Sequence, residues 1–517
     1  MRYLLAVDVG TGSGRAIVFD LSGNQVAIAQ EEWHHLPEAL YPGSMNFDFK
    51  KNWNVLAACI WRVLQKLDGL DICAVSTTSM REAIVLYDKD GNELWACANV
   101  DARAAVQVQN LRAEHPLFER EVYEVSGETF ALGAIPRLLW LKENQPYIYE
   151  QATSFSMLND WVIAKLTGEI ASEPSNAGTT GLLSLETRQW QLELMAKIGL
   201  NGNILPEVLE SGTRIGSVTK AAAELTGLRA GTPVVIGGGD AQVGCVGLGV
   251  VKENQMAVMG GTFWQQEINI SEPRVDPKMD IRVNPHVVPH LWQAEAIVFF
   301  AGYVMRWFRD TFCQDEIRLA RKSGQDTYEL LSEQAAQVPT GSYGVIPIFS
   351  DVMRFSEWYH AAPSFLNLKL DPQQSSKAVL FRSLLENAAI VTAKNLELVE
   401  QFAGINVDLI TFAGGAAKSP LWCQIVADAT GKVVRVPEVE EATALGAAII
   451  AGVGAGVYSD VASTAEKIVR WRREYKPQLE NKEVYETVKH RWEAAYRVQR
   501  ELVSEGVTEA MWKAPGF

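Results

Sequence analysis

The stretch LLAVDVGTGSGRAIVFD, Leu4 to Asp20, decides the fold because it sets two apolar runs around a glycine-rich bend. A P-loop would continue as Gly-Lys-Ser/Thr, and a dinucleotide-binding fingerprint would have its third glycine where Arg15 stands. A second β-rich run, a Ser-Gly-Asn turn and a third run follow instead. The pattern therefore predicts antiparallel strands joined by a tight hairpin.

This hairpin has the composition of a phosphate-binding bend. Its glycines, among them Gly12, leave backbone N–H groups open to an anion, and Thr11, Ser13 and Arg15 add side-chain donors. Asp8 lies just before the bend, where a carboxylate would organise a magnesium ion or its waters. A plain turn between strands is the alternative for the glycines.

A second bend of the same kind lies near the middle of the chain. The segment QMAVMGGTFWQQEINI, residues 255–270, repeats the order of apolar run, Gly-Gly-Thr turn at Gly261 and Thr262, and strand-like run. Each half also carries a later apolar strand, at 72–80 and 409–420. This duplication is the plan of the actin-like ATPase fold, in which two α/β domains clasp a nucleotide; a coincidental repeat is the alternative.

Between the two bends, the segment VVIGGGDAQVG leads an apolar strand through three glycines into Asp240. A carboxylate on such an exit reaches the space between domains, where it would accept the proton of a substrate hydroxyl. The alternative is an aspartate in an ordinary turn at the end of a strand.

Other charged pairs are candidates for binding a small polyol. In SMREAIVLY, Arg81 supplies donors and Glu82 supplies acceptors for several hydroxyls. In CANVDARA, Asp101 and Arg103 offer the same combination. A surface ion pair is the alternative for the first pair, and an exposed helix start for the second.

The segment AGGAAKSPLWCQIVADATG predicts a strand, a turn and a helix that begins near Ser419, where Ser-Pro supplies the cap and the first turn. Gly414 and Gly415 would let the flat face of adenosine lie on the backbone. A strand-to-helix turn alone explains the two glycines equally well.

Composition excludes several classes of function. The 517 residues exceed the ~250–300 at which single cores stop growing, so two or more domains are expected. The formal net charge of -15 argues against nucleic-acid and anionic-membrane partners, since either needs an extensive basic face. Six scattered cysteines predict neither a zinc site nor a disulfide framework. With no secretion signal or membrane-spanning segment visible, a cytoplasmic protein is expected.

The ordered series DVGTGSGR, SMRE, NVDAR, GGGDAQ, GGTFW and AGGAAKSPLWCQIVAD resembles the FGGY carbohydrate kinases over nearly the whole chain. The resemblance implies an α/β fold of two actin-like (ribonuclease H-like) ATPase domains with an interdomain active-site cleft. It implies an N-terminal domain over 1–250, a C-terminal domain over 251–480, and a helical extension over 481–517 packed on the second domain.

The resemblance also assigns roles to the candidate residues, with ATP and Mg2+ as cofactors. It implies that Asp240 is the catalytic base and, with Asp8, organises the metal. The other roles are substrate binding by Arg81, Glu82, Asp101 and Asp240, and ATP binding by Thr11, Gly12, Ser13, Arg15, Gly261, Thr262, Gly414, Gly415 and Ser419.

Stretches such as WACANVDARAA and RVNPHV are similar to one branch of this family, which acts on a quorum-sensing signal. They imply phosphorylation of the terminal hydroxyl of linear, hydrated 4,5-dihydroxypentane-2,3-dione. A kinase for xylulose or glycerol, or an actin-like ATPase that is not a kinase, are the alternatives. A regulatory protein of the sugar phosphotransferase system and a second copy of the chain are the macromolecular partners that the resemblance implies.

Overall fold

The computed structural model describes residues 2–66 and 71–517. The strands of the first half are β1 (Arg2–Val9), β2 (Ser13–Asp20), β3 (Gln25–Glu32), β4 (Leu36–Glu38), β5 (Tyr41–Asn46), β6 (Asp71–Ser79), β7 (Ile84–Tyr87), β8 (Glu93–Cys97), β9 (Ser154–Met157), β10 (Arg214–Ser217) and β11 (Pro233–Gly239). The strands of the second half are β12 (Met256–Gly260), β13 (Trp264–Ile270), β14 (Arg282–Pro285), β15 (Trp292–Val298), β16 (Ile346–Ile348), β17 (Ser364–Leu366), β18 (Leu409–Ala413), β19 (Val433–Pro437) and β20 (Trp471–Tyr475).

The helices lie mainly between these strands. Those of the first half are α1 (Phe49–Gln65), α2 (Ala105–Glu114), α3 (Phe118–Ser126), α4 (Ala134–Asn144), α5 (Pro146–Gln151), α6 (Leu158–Thr167), α7 (Pro174–Ala177), α8 (Leu192–Lys197), α9 (Lys220–Thr226) and α10 (Asp240–Gly247). Those of the second half are α11 (Ala301–Phe312), α12 (Gln314–Ser323), α13 (Thr327–Ala336), α14 (Lys377–Ala403), α15 (Pro420–Thr430), α16 (Ala442–Gly454), α17 (Val461–Ile468) and α18 (Leu479–Ser504).

Two sheets share one topology. In the first, the order β3-β2-β1-β6-β11 combines antiparallel pairs among β1, β2 and β3 with parallel pairs of β1 with β6 and β6 with β11. In the second, the order β15-β13-β12-β18-β19 repeats those pairings strand for strand. We call the parts built on these sheets the first and second lobes. The predicted duplication and the actin-like fold class are therefore confirmed.

The glycine-rich bends are the β1–β2 and β12–β13 hairpins, as the sequence predicts. In the first, the Gly10 amide donates to the carbonyl of Ser13 at 2.9 Å, and the Trp33 amide donates to the carbonyl of Gly12 at 3.0 Å. The bend is thus held from its own strands and from the chain beyond β3. Edge strands extend both sheets: β10 in the first lobe, and β14 and β20 in the second.

Two helices cross between the lobes. Helix α10 follows β11 of the first lobe, whereas α16, which follows β19 of the second lobe, packs on β1, β6 and β11 of the first. Their backbones approach so closely that a Cβ added to Gly247 would overlap the carbonyl of Ala442, and one added to Gly446 would overlap that of Val243. Glycine at both positions is therefore what permits this crossing.

Helix α18 closes the second lobe. Tyr485 and Trp492 on it are fully buried, and the Trp492 indole donates to the carbonyl of Pro347 at 2.8 Å. The last residues of the sequence reach the first lobe, where the Phe517 ring lies 3.9 Å from the Arg112 guanidinium. Within the described part of the chain, no helix has both the length and the apolarity to cross a bilayer. The boundaries at 250 and 480 stay predictions.

Candidate active site

Asp240 begins α10 directly after the buried strand β11, between the two lobes. Its side chain is 35% exposed, and its Oδ1 lies 3.8 Å from Nε of Arg81 and accepts from the Ala241 amide at 2.8 Å. Desolvation of the carboxyl between the two lobes raises the pKa of Asp240 to about 7; Arg81 opposes this increase, and the charges of Asp8 and Glu82 add to it. A carboxyl group with this pKa and this access suits a general base near neutral pH.

Asp8 and Arg15 face each other across the β1–β2 ladder and form an ion pair. The Arg15 guanidinium also reaches the second lobe, where its Nη1 lies 2.6 Å from Oε2 of Glu441. Burial raises the pKa of Asp8, while the charge of Arg15 opposes that increase. Arg15 therefore already joins the hairpin to the second lobe at the edge of the cleft.

The other predicted residues of the first hairpin are open to the cleft in different degrees. Thr11 and Gly12 are exposed and Ser13 is partly exposed. The Thr11 hydroxyl accepts from the Asn99 side-chain amide at 3.2 Å, and that of Ser13 accepts from Gln30 at 3.2 Å. No side chain lies within 4 Å of the position that a Gly12 Cβ would take, so the backbone there is accessible to an anion.

The second hairpin lines a pocket of about 900 Å³ in the second lobe. Four of the predicted ATP-binding residues meet in it: Gly261, Thr262, Gly415 and Ser419. Tyr328 and Trp422 contribute aromatic surface, and Arg306, Glu329 and Glu333 contribute charge. The volume and mixed lining are those of a site for a nucleotide-sized ligand.

Gly414 does not line this pocket, because it forms the turn behind it. Its φ is +89°, and a Cβ there would lie 2.7 Å from the carbonyl oxygen of Gly260. Ser419 caps α15 as predicted, since its hydroxyl accepts from the Trp422 amide at 3.3 Å. The two glycines thus differ: Gly414 shapes the turn, and Gly415 presents open backbone to the pocket.

Glu82, next to Arg81, is fixed from three sides. Its φ is +61°, its amide donates to the Thr179 hydroxyl at 3.2 Å, and its carbonyl accepts from Arg137. Its Oε1 accepts from Arg282 Nη2 at 2.5 Å. A non-glycine residue held at positive φ by this many contacts is typical of a functional site.

Asp101 is more enclosed than the sequence predicts. Its side chain has no exposed surface, because it pairs with Arg103 at 2.7 Å and accepts from the Met45 amide at 2.6 Å. Arg137, which the sequence-based site did not include, donates to the carbonyls of Asp101, Asn99 and Glu82 and so joins the loop after β6 to the loop after β8. Asp101 is thus fully paired in this structure, and its contact with substrate stays a prediction.

Sequence reasoning also missed a group of buried charges beside Arg81. They are Glu128, Glu267, Arg282 and Glu295, each at most 3% exposed. Arg282 bonds to Glu128, and its Nη1 lies 3.2 Å from Oε1 of Glu295. The available signal was a glutamate within each of two strand-forming segments, WQQEINI at 264–270 and WQAEAIV at 292–298.

The duplicated sheet and the cleft between its copies place the chain among the actin-like ATPases and kinases. Sequence models of the FGGY family of carbohydrate kinases match it twice, the N-terminal domain at residues 3–247 and the C-terminal domain at residues 267–455. The chain therefore belongs to the FGGY family of carbohydrate kinases. The predicted family and enzyme class are confirmed: the chain is a phosphotransferase that uses ATP as donor and an alcohol group as acceptor.

Individual relatives agree with this assignment. The autoinducer-2 kinase of Enterobacter sp. (strain 638) is 56% identical over 520 residues, which covers 100% of this chain and 98% of the relative. The ligand-bound xylulose kinase from Lactobacillus acidophilus has a TM-score of 0.85 at 19% identity, covering 97% of this chain and 99% of that one. The Plasmodium falciparum glycerol kinase with ADP has a TM-score of 0.83 at 20% identity, covering 96% and 98%. The two solved structures share the fold.

Proposed function

We propose that this chain is an autoinducer-2 kinase, which transfers the γ-phosphoryl group of ATP to the terminal hydroxyl of linear, hydrated 4,5-dihydroxypentane-2,3-dione. The observation that carries the proposal is the 56% identity, over the whole chain, to a protein of that name. The cleft chemistry supports it, because Arg81 and Glu82 provide both donors and acceptors for a substrate with several hydroxyls.

In the proposed mechanism, Asp240 accepts the proton of the attacking hydroxyl. Arg81, 3.8 Å from Asp240, holds the acceptor beside the base, and Glu82 accepts from its other hydroxyls. The backbone amides of the two hairpins and the Arg15 guanidinium contact the phosphates. Because phosphoryl transfer depends mainly on positioning and charge neutralisation, these groups supply most of what the reaction needs.

We propose Asp8 and Asp240 as the residues that would hold Mg2+. Among the described residues, no cluster of three or more His, Cys, Asp and Glu side chains has the geometry to bind a metal without help. Two carboxylates close enough for the charge of Asp8 to raise the pKa of Asp240 fit an ion whose remaining ligands are phosphates and water. When bound, the ion would neutralise the phosphate charge.

The pocket that contains Gly261, Thr262, Gly415 and Ser419 is the proposed site for the adenosine and phosphates of ATP. Gly415 supports this role, since the space where its Cβ would project is open except for a Gly260 carbonyl at 4.0 Å. The two hairpins approach the nucleotide from opposite lobes, and closure of the cleft would exclude water that competes with the acceptor.

The test is ADP production by purified protein with ATP and Mg2+, with the dione, with xylulose, with glycerol and without acceptor. Rapid turnover with the dione alone, giving a monophosphorylated product by mass spectrometry, is the expected result. Preference for xylulose or glycerol would overturn the proposed substrate but leave the proposed mechanism unchanged. Equal turnover without acceptor would overturn the kinase assignment in favour of an ATPase.

For macromolecular partners we propose a regulatory protein of the sugar phosphotransferase system, and a second copy of this chain. Helix α18 offers a surface for such a partner, since Val484 and Val498 on it are 39% and 47% exposed. Titration of the purified regulatory proteins into the kinase assay tests the first partner, and sedimentation tests the second. Unchanged activity would contradict the proposed regulatory partner, and a monomeric mass would contradict the proposed dimer.

A further inference from the structure

A row of three charged residues crosses the second lobe's sheet at the cleft. Arg282 on β14 is the register partner of Glu295 on β15, and Glu295 is the register partner of Glu267 on β13. Residues directly opposite in neighbouring strands project to the same face, so the three side chains lie side by side. All three are buried, with 3%, 1% and 0% exposure.

Glu295 is the centre of this row because it binds two cations. Its Oε2 lies 2.7 Å from Nη2 of Arg81 in the first lobe, and its Oε1 lies 3.2 Å from Nη1 of Arg282. Arg81 in turn contacts the proposed base, since its Nε lies 3.8 Å from Oδ1 of Asp240. Arg282 in turn contacts Glu82, whose Oε1 lies 2.5 Å from its Nη2. One carboxylate therefore connects the two proposed acceptor ligands and the base.

We propose that Glu295 is a positioning residue, which fixes Arg81 and, through Arg282, Glu82 in the geometry that binds the acceptor hydroxyls. This rests on the proposed acceptor roles of Arg81 and Glu82. Glu295 reaches both from the opposite lobe, so it also couples acceptor binding to the approach of the lobes. Its effect is on the acceptor, since the nucleotide pocket has none of these residues in its lining.

Glu267 lies beside Glu295 and is the uncharged member of the pair. Two facing carboxylates in a buried site cannot both ionise at low cost. The two arginines hold the pKa of Glu295 below its usual range, whereas burial and Glu295 hold the pKa of Glu267 well above its usual range. Glu267 is thus the proton-bearing partner, which the strand register places beside Glu295. A glutamine at 267 is neutral like the protonated glutamate, whereas a glutamine at 295 cannot neutralise two guanidinium groups.

The test compares Glu295→Gln with Glu267→Gln in steady-state kinetics. Glu295→Gln is expected to raise the acceptor KM about 10- to 100-fold, the range for charged hydrogen bonds, with the KM for ATP changed less than about twofold. Glu267→Gln is expected to keep both KM values within about threefold of the parent, because the side chain at 267 stays neutral and of nearly the same shape. An unchanged acceptor KM in Glu295→Gln, or equal losses in the two variants, would overturn the proposal.

Two further variants separate positioning from folding. Glu295→Asp keeps the charge but is too short to bind both arginines, so it serves where Glu295→Gln fails to fold, with the same expected increase in acceptor KM. Glu316→Gln, which breaks the 2.8 Å pair of a mostly buried carboxylate on α12 with Lys377 at the start of α14, is the matched control. It is expected to lower Tm without moving the acceptor KM; an equal effect of Glu316→Gln on that KM would overturn the proposal.

The readout does not depend on which acceptor is correct. Kinetics use whichever acceptor the parent protein phosphorylates, so failure of the dione leaves this test intact. Crystal structures of both variants provide a measure without turnover: the Arg81–Asp240 contact should be lost in Glu295→Gln and kept in Glu267→Gln. Retention of that contact in Glu295→Gln would overturn the proposal even if the protein phosphorylated no acceptor tested.

Discussion

The Nε atom of Arg81 lies 3.8 Å from Oδ1 of Asp240, so the proposed base and the proposed acceptor-binding cation are in direct contact. Arg81 is 4% exposed and Asp240 is much more open. The arginine therefore stays fixed while the carboxylate faces the cleft. This arrangement allows substrate binding and proton transfer to be tested by separate substitutions.

Asp240→Asn should lower kcat about 10²- to 10⁴-fold, the range for loss of a general base, with little change in ATP affinity. The amide has nearly the same shape as the carboxylate but cannot accept the proton. A coupled ADP assay and nucleotide titration measure the two effects. Asp90→Asn, at an exposed turn, is the control and should match the parent. Retention of most activity by Asp240→Asn would remove Asp240 as the base.

The pH profile of kcat/KM should fall by about tenfold per unit below pH 7, because the Asp240 pKa is about 7 in the free enzyme and only the ionised form accepts a proton. The pKa of Glu128 is also raised to about 7, so Glu128→Gln is the matched control and should keep this acid limb. Loss of the limb in Glu128→Gln would assign it to Glu128.

The same pKa has a consequence for stability. Because folding raises the pKa of Asp240 above its usual value, the fold favours the protonated form, and that contribution is lost as the pH rises through about 7. Asp240→Asn should therefore have a Tm equal to or above that of the parent at pH 8. A Tm lowered by several degrees, measured by calorimetry, would show that the carboxylate stabilises the fold.

Arg81→Ala should raise the acceptor KM far more than the KM for ATP. The substitution removes the guanidinium beside Asp240 and leaves Glu295 with one cation fewer, while the nucleotide pocket is unchanged. Initial rates with each substrate varied in turn measure the split. Equal increases in both KM values would place Arg81 outside the acceptor pocket.

Gly415→Ala and Gly414→Ala should separate ligand binding from folding. A methyl at 415 meets no protein atom closer than 4.0 Å, so the variant should fold normally and bind ATP more weakly. A methyl at 414 needs a strained φ and overlaps Gly260, so that variant should lose stability, by about 1–3 kcal/mol. Thermal unfolding and nucleotide titration measure both; normal ATP affinity in Gly415→Ala would move the nucleotide elsewhere.

Gly446→Ala should destabilise the crossing of α10 and α16. The new methyl would overlap the Val243 carbonyl and force the helices apart, at a cost of about 1–3 kcal/mol. Gly12→Ala is the stability control, because nothing lies within 4 Å of the added carbon. Urea unfolding measures both; equal stability of the two variants would show that the crossing tolerates separation.

Local signals in the sequence predicted the hairpins, the duplicated sheets and the strand that ends at Asp240, because glycine spacing and apolar runs determine them within short segments. The helix that begins at Asp240 was not predicted. The row of Arg282, Glu295 and Glu267 was beyond such reasoning, since it depends on the register of three strands and on the approach of two lobes. Asp101 shows the same limit: the sequence identifies a charged side chain, but only the structure shows that its carboxylate is already paired with Arg103.

Because of helix α16, the first lobe depends on the second lobe for part of its core. Its apolar residues cover the face of the first sheet that carries Leu4, Ala6 and Phe19, although nearly two hundred residues of the second lobe precede it in the chain. A gene fragment ending near residue 250 would encode every strand of that sheet and leave this face in water. We expect such a fragment to aggregate, so the two halves need to be expressed and engineered together.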